Sequence, residues 1–189
     1  MQLITCTTPE QIVEAKRIRY QVYCLEKGWV DPATCPDGLE SDEYDDDAVH
    51  FLVADHDSGR VLGSTRILLG SKVTLPAVKY LDPSLHGFAP SEVIEASRMA
   101  SLPASRSQSH AIFLGLGQAM WEWAIDHEIG AWMALADAPV YRLMQLVGMP
   151  IIGSGKPVDY IGSMCIPCIV DTYACAAMFK ARGFDARVA

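Results

Sequence analysis

A short acidic segment constrains the fold of this chain more than any other feature of its sequence. Six of the eight residues from Glu40 to Asp47 are acidic, and crowded carboxylates repel one another unless cations, donors or water compensate them. Arginines are available on both sides, at Arg19, Arg66 and Arg98. We therefore expect the segment to form the floor of an active site, with a solvated acidic loop as the alternative. A calcium loop is disfavoured because the Asp-x-Asp-x-Asp-Gly spacing is missing.

The length and the composition of the chain indicate one cytoplasmic domain over residues 1–189. Half of the 189 residues are hydrophobic, which is enough to bury a core in a single domain. The net charge of -8 argues against nucleic acid as a partner, because that binding relies on clustered lysine and arginine. The first residues carry neither a charged n-region nor a long apolar run, so we expect no signal peptide and no transmembrane segment.

The six cysteines are expected to be reduced thiols that pack as small hydrophobic residues, since no export signal accompanies them. Cys165 and Cys168 form a lone C-x-x-C pair. A zinc site would need a second pair or suitably spaced histidines, and a thioredoxin-like motif would open a helix. We therefore expect no metal ion and no bound cofactor.

Alternating and helical patterns predict a mixed α/β fold, and its first half begins with a strand and a helix. Residues 2–7 are typical of a strand, and Thr8 then caps a helix that runs to about Cys24. Two β-rich runs, 49–55 and 60–69, are joined by a turn. They predict an antiparallel hairpin.

The second half of the chain opens with a stretch from Lys72 to Pro90 that contains several prolines and no sustained periodicity. We expect this stretch to cross the surface as a lid or channel wall. After it, periodicity predicts alternating strands and helices. The strands are predicted at 91–100, 131–136, 150–153 and 161–170, and the helices at 109–127, 139–147 and from the last strand to about Lys180.

The predicted central strand at 91–100 contains Glu95, Ser97 and Arg98. Strand alternation places Glu95 and Ser97 on one face and Arg98 on the other. Buried charges need partners of opposite sign, so both faces are expected to meet ionic groups. A structural salt bridge and a catalytic role both fit this pattern.

Four separated blocks carry a resemblance to a known superfamily, whereas no G-x-S-x-G elbow or Walker loop occurs. The blocks are Arg19, Tyr23 and Trp29 in R-x-x-x-Y-x-x-x-x-x-W, then G-L-E-S-D-E-Y-D at 38–45, G-S-T-R at 63–66 and E-A-S-R at 95–98. In this order they resemble the signature of the acyl-homoserine-lactone synthases and of their sister group, the N-acyl amino acid synthases. Both groups are similar to N-acetyltransferases of the GNAT fold. The resemblance implies a GNAT-like three-layer α-β-α sandwich around a mixed, mostly antiparallel sheet.

Within this superfamily the chain looks most like the exosortase (PEP-CTERM)-associated acyltransferases. The matching stretches are 19–24, 49–50 and 155–162, together with the full acidic segment. The lactone synthases usually carry aromatic residues after the arginine of E-x-S-R, and mostly carry Phe at the position of Tyr23. Here Met99 and Ala100 follow that arginine.

The resemblance implies transfer of a fatty acyl group from the thioester of acyl carrier protein to the amine of an amino acid. One alternative is an acyl-homoserine-lactone (autoinducer) synthase of quorum sensing, which uses S-adenosylmethionine as co-substrate. Another is a non-catalytic lipid- or effector-binding module on the same fold. Coenzyme A is disfavoured as donor, because GNAT enzymes that use it carry Arg or Gln before the G-x-G that opens their central helix. Here Ile112 stands in that position before Gly115-Leu116-Gly117.

A thioester is already activated, so the site has to position a neutral amine, take its proton and stabilise an oxyanion. A carboxylate serves as the base when burial raises its pKa toward neutrality, and we predict Glu95 first and Glu40 second for this role. Ser97 and Arg98 complete the predicted catalytic set. A backbone N–H beside a strand irregularity near Ala134 is the predicted oxyanion donor.

The resemblance also implies which residues bind the acceptor. An ion-pair cluster shapes the acceptor side, and Trp29 lines the acceptor pocket together with Tyr23. The members of the implied cluster are Arg19, Asp42, Asp45, Arg66 and Arg98.

The acyl chain and its carrier need different surfaces. An apolar channel is predicted for the chain, with ordinary core packing as the alternative for the same side chains. Its candidates are Met120, Trp123, Trp132, Met133 and Met144. An acidic carrier protein needs a basic patch, for which the candidates are Lys16, Arg17, Arg106, Arg142 and Lys156.

Overall fold

The structure is a computed structural model that describes residues 1–82, 87–181 and 183, without the side chain of Arg106. It contains two compact units. The first unit comprises residues 1–67 and 98–120, and the second comprises residues 68–97 and 121–189. The assignment of 1–189 to one domain stays a prediction. Pro83, within the predicted surface stretch, lies outside the described residues.

The first unit begins with β1 (Gln2–Thr5) and α1 (Pro9–Arg19). The predicted capping box is confirmed, because Gln11 N donates to Thr8 Oγ1 while the Gln11 side chain accepts from Thr8 N. The helical run does not stop at Arg19. It continues as a π-helix, Tyr20–Glu26, so the predicted helix extends slightly beyond its expected end with a changed hydrogen-bond pattern.

Three strands of the first unit pair in antiparallel order. β1 pairs with β2 (Val49–Ala54), and β2 pairs with β3 (Val61–Leu69), which confirms the predicted hairpin. A short 3-10 helix, Asp45–Asp47, ends the acidic segment just before β2. The helix α2 (Ser109–Asp126) contributes Ile112 and Leu116 to a core cluster with Val53 and Leu62.

The second unit contains the remaining strands and helices. β4 (Val93–Ser101) runs parallel to β5 (Ala131–Asp137), and β5 pairs antiparallel with β8 (Ser163–Asp171). Both β6 (Ile151–Ser154) and β7 (Val158–Tyr160) pair antiparallel with β8. The helices α3 and α4 follow β5 and β8 respectively and span Ala138–Leu146 and Thr172–Ala181.

The strands β3 and β4 are antiparallel neighbours within each unit. In the first unit Leu102 N donates to Leu62 O at 2.9 Å, and in the second unit Gly70 N donates to Val93 O at 3.0 Å. A glycine is required at position 63, because a Cβ there would lie 2.7 Å from the carbonyl oxygen of Ala100. The pairing is thus mixed and mostly antiparallel, as predicted.

All six cysteines lie in the described part of the chain as free thiols, and five of them are buried. Burial raises the pKa of the Cys168 thiol to about 12 and that of Cys165 to about 11. A raised thiol pKa leaves little thiolate at neutral pH. These residues therefore act as packing groups, as predicted. Among the described helices, none combines the length and the hydrophobicity needed to cross a membrane.

Candidate active site

The acidic segment folds against α1 in the first unit, where Arg19 is its main partner. Glu40 N donates to the Lys16 carbonyl oxygen at 3.2 Å, which fixes the segment beside the helix end. The Arg19 guanidinium is 1% exposed; its Nε donates to Glu40 Oε2, and its two Nη atoms donate to the carboxylate of Asp45 at 2.5 and 3.0 Å. The fork of the guanidinium matches the carboxylate geometry. Glu40 and Asp45 are thus buried against a cation, whereas Glu43, Asp46 and Asp47 of the same segment are exposed.

Arg66 enters the same cluster from β3. Its Nη1 donates to Asp42 Oδ1 and to Asp45 Oδ1, and its Nη2 donates to Asp42 Oδ2, each at 2.6 Å. Arg66 is also 1% exposed, so these contacts form away from water. A buried guanidinium needs such compensation.

Arg98 completes the cluster from the part of β4 that belongs to the first unit. Its Nε donates to Glu40 Oε1 at 3.0 Å and its Nη2 donates to Asp42 Oδ2 at 2.8 Å. Its backbone φ is +54°, a left-handed conformation that side-chain-bearing residues rarely adopt. A left-handed residue interrupts the regular alternation of side chains along β4. Alternation alone therefore does not determine the face on which Arg98 lies.

The six residues Arg19, Glu40, Asp42, Asp45, Arg66 and Arg98 form what we call the ion-pair cluster. Its three arginines and three carboxylates cancel in formal charge. The structure brings together all five cluster members that the resemblance implied and adds Glu40. Both oxygens of Glu40 accept arginine N–H groups, which is a poor arrangement for a base that must face a substrate amine.

The cluster changes the acidity of its own groups. Burial raises the pKa of Asp45, but hydrogen bonds and charge from Arg19 and Arg66 outweigh burial and hold the pKa well below its usual range. For Asp42, burial likewise raises the pKa, and Arg66 and Arg98 turn the net shift downward. Both carboxyl groups therefore stay ionised at neutral pH.

His50 on β2 is a neighbour of the cluster that the sequence analysis did not select. It lies opposite Arg66 in the strand pairing, is buried, and has its Nε2 3.2 Å from the carbonyl oxygen of Asp45. Burial lowers the pKa of His50, so the imidazole is neutral near pH 7. The sequence offered one signal for His50, because the predicted hairpin pairs its strand with the strand of Arg66.

Tyr23 and Trp29 pack together as the resemblance implied. Their rings meet edge to face with centroids 5.1 Å apart, and Lys27 Nζ lies 5.8 Å from the Trp29 ring. On the other side the Arg98 guanidinium lies 5.7 Å from the Tyr23 ring. Both aromatic residues are half-buried.

Glu95 belongs to the second unit and is 1% exposed. Its Oε2 accepts a hydrogen bond from Ala77 N at 2.8 Å, where Ala77 lies in a 3-10 helix, Pro76–Tyr80, that forms within the predicted surface stretch. Glu95 pairs with Met133 across the parallel ladder. The half-buried Ser97 follows on the same strand. The proposed base is therefore buried and fixed by a backbone donor.

A cavity of about 430 Å³ lies in the second unit. Its walls are mostly apolar and include Val78, Phe88, Val93 and Met133. Two of these residues are neighbours of the Glu95 site, because Met133 pairs with Glu95 and Val78 follows its donor Ala77. The cavity is thus a mostly apolar space whose lining includes neighbours of Glu95, while Glu95 itself is not among the lining residues.

Of the five predicted channel residues, Met133 alone lines this cavity among the described residues. Met120 packs in the first unit, where its Sδ accepts from Thr65 Oγ1 at 3.7 Å. Trp132 and Met144 are buried core residues, and the half-buried Trp123 stacks on a histidine. Core packing, the stated alternative, describes Met120, Trp132 and Met144. Most lining residues come from the 70–78 stretch, which has no periodicity to predict them.

Ala134 lies where the pairing of β4 with β5 ends. The ladder stops at the pair Ala96–Ala134 although β5 continues to Asp137, while the pairing of β5 with β8 is regular through Ala134. The two strands therefore separate near the position predicted for the oxyanion donor. Its role stays a prediction.

The sequence profile of the acetyltransferase (GNAT) domain matches residues 18–115, which is more than half of the chain. The chain belongs to the GNAT family. The predicted GNAT-like α/β fold class is thereby confirmed, and so is the resemblance to the wider superfamily of acyl-homoserine-lactone and N-acyl amino acid synthases. Membership supports transfer of an acyl group to an amine.

This GNAT protein is similar to a probable acyl-homoserine-lactone synthase of Sinorhizobium fredii (strain NBRC 101917 / NGR234), with 27% identity over 192 residues that cover 92% of this chain and 90% of the relative. Among solved structures it resembles TofI in a ternary complex with an inhibitor and MTA, with a TM-score of 0.75, 25% identity and 98% coverage of both chains. It also shares its fold with FeeM, an N-acyl amino acid synthase from uncultured soil microbes, with a TM-score of 0.69, 15% identity and coverage of 97% and 98%.

Gly115 of α2 in this GNAT protein serves packing. Gly115 lies six residues inside a helix that begins at Ser109, and a Cβ at this position would lie 3.2 Å from Leu3 Cδ2 and 3.5 Å from Val53 Cγ2. A pyrophosphate cradle needs free backbone N–H groups at the first turn of a helix. Gly115 and Gly117 are too far along the helix to supply them.

Proposed function

We propose that this chain is an N-acyltransferase that moves a fatty acyl group from the thioester of acyl carrier protein to the amine of an amino acid. The observation that carries the proposal is the buried Glu95 carboxylate, whose neighbours line a mostly apolar cavity in the second unit. A thioester with an apolar chain and an amine that must lose a proton need these two features.

Glu95 is the proposed base. A carboxylate within hydrogen-bond reach of an amine can take its proton as a general base. The amine nitrogen attacks the thioester carbonyl carbon, Glu95 takes the proton directly or through water, and the C–S bond breaks to release the carrier thiol. Glu95 then passes this proton, directly or through water, to the leaving thiolate, so the products are an amide and a thiol and the carboxylate is restored.

The ion-pair cluster is the proposed support of the acceptor site. Its formal charges cancel, so the cluster presents no excess field of either sign. Met99 and Ala100 follow Arg98, where the lactone synthases usually carry aromatic residues, and this difference favours an amino acid over S-adenosylmethionine as the acceptor. Trp29 and Tyr23 supply a half-buried aromatic surface for the same acceptor.

Acyl carrier protein is the proposed donor because Gly115 of α2 is used for packing. Exposed cations are available for an acidic carrier at Arg17, Arg142 and Lys156, although Arg17 already pairs with Glu14. Coenzyme A is the alternative donor. A cytoplasmic location, where acyl carrier protein is found, is part of this proposal.

An acyl-homoserine-lactone synthase is the second candidate, favoured by the name of the Sinorhizobium relative. One assay separates the candidates: purified protein is incubated with acyl carrier protein charged with one fatty acid and, in parallel, with the amino acids or with S-adenosylmethionine. Mass spectrometry then identifies the product. An N-acyl amino acid supports the proposal, and release of methylthioadenosine supports the lactone synthase.

Two further arms complete the assay. Acyl-coenzyme A replaces the carrier-bound thioester in the first arm, and equal turnover there would contradict the donor assignment. In the second arm every thioester is tested with every acceptor. Absence of turnover throughout would support a lipid- or effector-binding module on the same fold.

A further inference from the structure

The hydroxyl of Tyr23 ties the π-helix to β4 within the first unit. Its Oη–H donates to the carbonyl oxygen of Met99 at 3.2 Å, across 76 residues of sequence. Met99 directly follows Arg98 in the chain. The bond therefore holds the peptide group between Met99 and Ala100, one residue beyond the left-handed Arg98.

Arg98 occupies a backbone conformation that its neighbours in β4 do not share. Its φ of +54° is unfavourable for a residue with a Cβ and persists only where surrounding contacts fix it. On the side-chain end, Glu40 and Asp42 hold the guanidinium. On the backbone end, the Tyr23 hydroxyl holds the next carbonyl group.

The ring of Tyr23 contacts the other end of the same arginine. The Arg98 guanidinium lies 5.7 Å from the Tyr23 ring centroid, within cation–π range. The Trp29 ring packs on the Tyr23 ring edge to face. The backbone N–H of Trp29 also donates to the carbonyl oxygen of Tyr23 at 2.8 Å. Tyr23 is thus held in place itself, and it contacts both the guanidinium of Arg98 and the carbonyl group of the next residue, Met99.

We propose that Tyr23 is a positioning residue whose hydroxyl fixes the left-handed turn at Arg98 and so keeps the guanidinium of Arg98 on Glu40 and Asp42. The effect reaches the acceptor through Arg98 rather than through contact of the hydroxyl with substrate. This inference deepens the proposed function and rests on it for its kinetic consequence. Its structural consequence is independent of any activity.

The test uses Tyr23→Phe, which removes the hydroxyl and keeps the ring against Trp29 and Arg98. Loss of one hydrogen bond is expected to raise the KM for the acceptor amine about three- to tenfold, while the KM for acyl carrier protein thioester changes less than about twofold. Tyr20→Phe is the matched control. Tyr20 lies on the same π-helix, and its hydroxyl makes no hydrogen bond within the described part of the chain.

A second measurement needs no turnover. The exchange rate of the Arg98 Nε–H with water, followed by NMR, reports whether this group stays on Glu40. We expect exchange to be about tenfold faster in Tyr23→Phe and unchanged in Tyr20→Phe. Unchanged exchange in Tyr23→Phe overturns the inference, as do equal increases in both KM values. If the wild-type protein shows no acyl transfer but exchange accelerates as expected, the proposed function fails and the positioning role stands.

Discussion

Asp45 bridges Arg19 and Arg66, and its Oδ1 accepts from an Nη atom of each arginine at 2.5 and 2.6 Å. One carboxylate oxygen therefore joins the helix α1 to the strand β3 through two buried cations. Its second oxygen accepts from Asp42 N at 2.9 Å as well as from Arg19. Asp45 accepts three arginine hydrogen bonds, as many as Asp42, and it is the more buried of the two carboxylates.

Asp45→Asn is expected to destabilise the protein strongly. The change leaves Arg19 and Arg66 with one formal positive charge uncompensated in a buried site, and breaking a buried pair on one side costs about 3–5 kcal/mol. The free energy of unfolding, measured with urea, should fall by this amount. Asp46→Asn is the control, since Asp46 is exposed in the same 3-10 helix and should change stability by less than about 0.5 kcal/mol. Equal effects in both variants would contradict the central place of Asp45.

The stability of the protein should fall in two stages as the pH is lowered. The folded-state pKa of His50 is depressed by burial, so the unfolded chain binds the proton more readily below its ordinary pKa of about 6.5. Stability is therefore lost as pH falls through that window. The pKa values of Asp42 and Asp45 are also depressed, and their contribution is lost below about pH 3.9, the ordinary value for Asp.

Urea unfolding at a series of pH values checks this order. His50→Gln should remove the first stage and leave the second, because the amide cannot titrate. The exposed His56 provides the control, and His56→Gln should leave both stages in place. A protein whose stability is flat between pH 7 and 5 would show that the buried imidazole does not resist protonation.

The sequence predicted most elements because their signals are local. The box at Thr8 and Gln11 and the hairpin between β2 and β3 are set by neighbouring residues. β7 was missed because it is three residues long and follows Gly155, Lys156 and Pro157, which are typical of a loop. The left-handed Arg98 was missed too, since only tertiary contacts justify that conformation.

The sequence predicted some parts of the candidate site and missed others, again because only some of them carry a local signal. The cluster followed from the need of crowded carboxylates for cations, and Arg19 and Arg66 were found by that reasoning with the resemblance. The stretch from Lys72 to Pro90 was predicted as a lid or channel wall and contributes most of the cavity lining, whereas the helical and strand residues predicted for the channel contribute only Met133 among the described residues. Periodic apolar residues such as Met120 indicate a core, and Met120 is buried in the core.

Glu95→Gln is expected to abolish most acyl transfer while preserving the fold. The amide oxygen can still accept the Ala77 N–H, so stability should change little, whereas loss of a general base lowers kcat about 10²- to 10⁴-fold. Glu92→Gln is the matched control. The exposed Glu92 likewise accepts one backbone N–H, from Ala89 at 2.6 Å, and its variant should keep full activity. A fully active Glu95→Gln enzyme would remove Glu95 from the role of base.

Val78→Trp is expected to shorten the preferred acyl chain. Val78 lines the cavity beside the donor of Glu95 and is 37% exposed, so a larger side chain can enter the cavity without overpacking a closed core. The variant should lose kcat/KM for long-chain thioesters by about tenfold or more, because one or a few methylene groups are worth about 1–3 kcal/mol in an apolar pocket. Short chains should react as before.

The measurement is a series of carrier-bound thioesters from eight to about sixteen carbons, compared at one acceptor concentration. Leu146→Trp is the control, because Leu146 is 74% exposed and is absent from the cavity lining. It should leave the chain-length profile unchanged. A Val78→Trp profile that falls equally at every length would mean that the cavity does not hold the chain, since only a length-dependent loss reports a filled pocket.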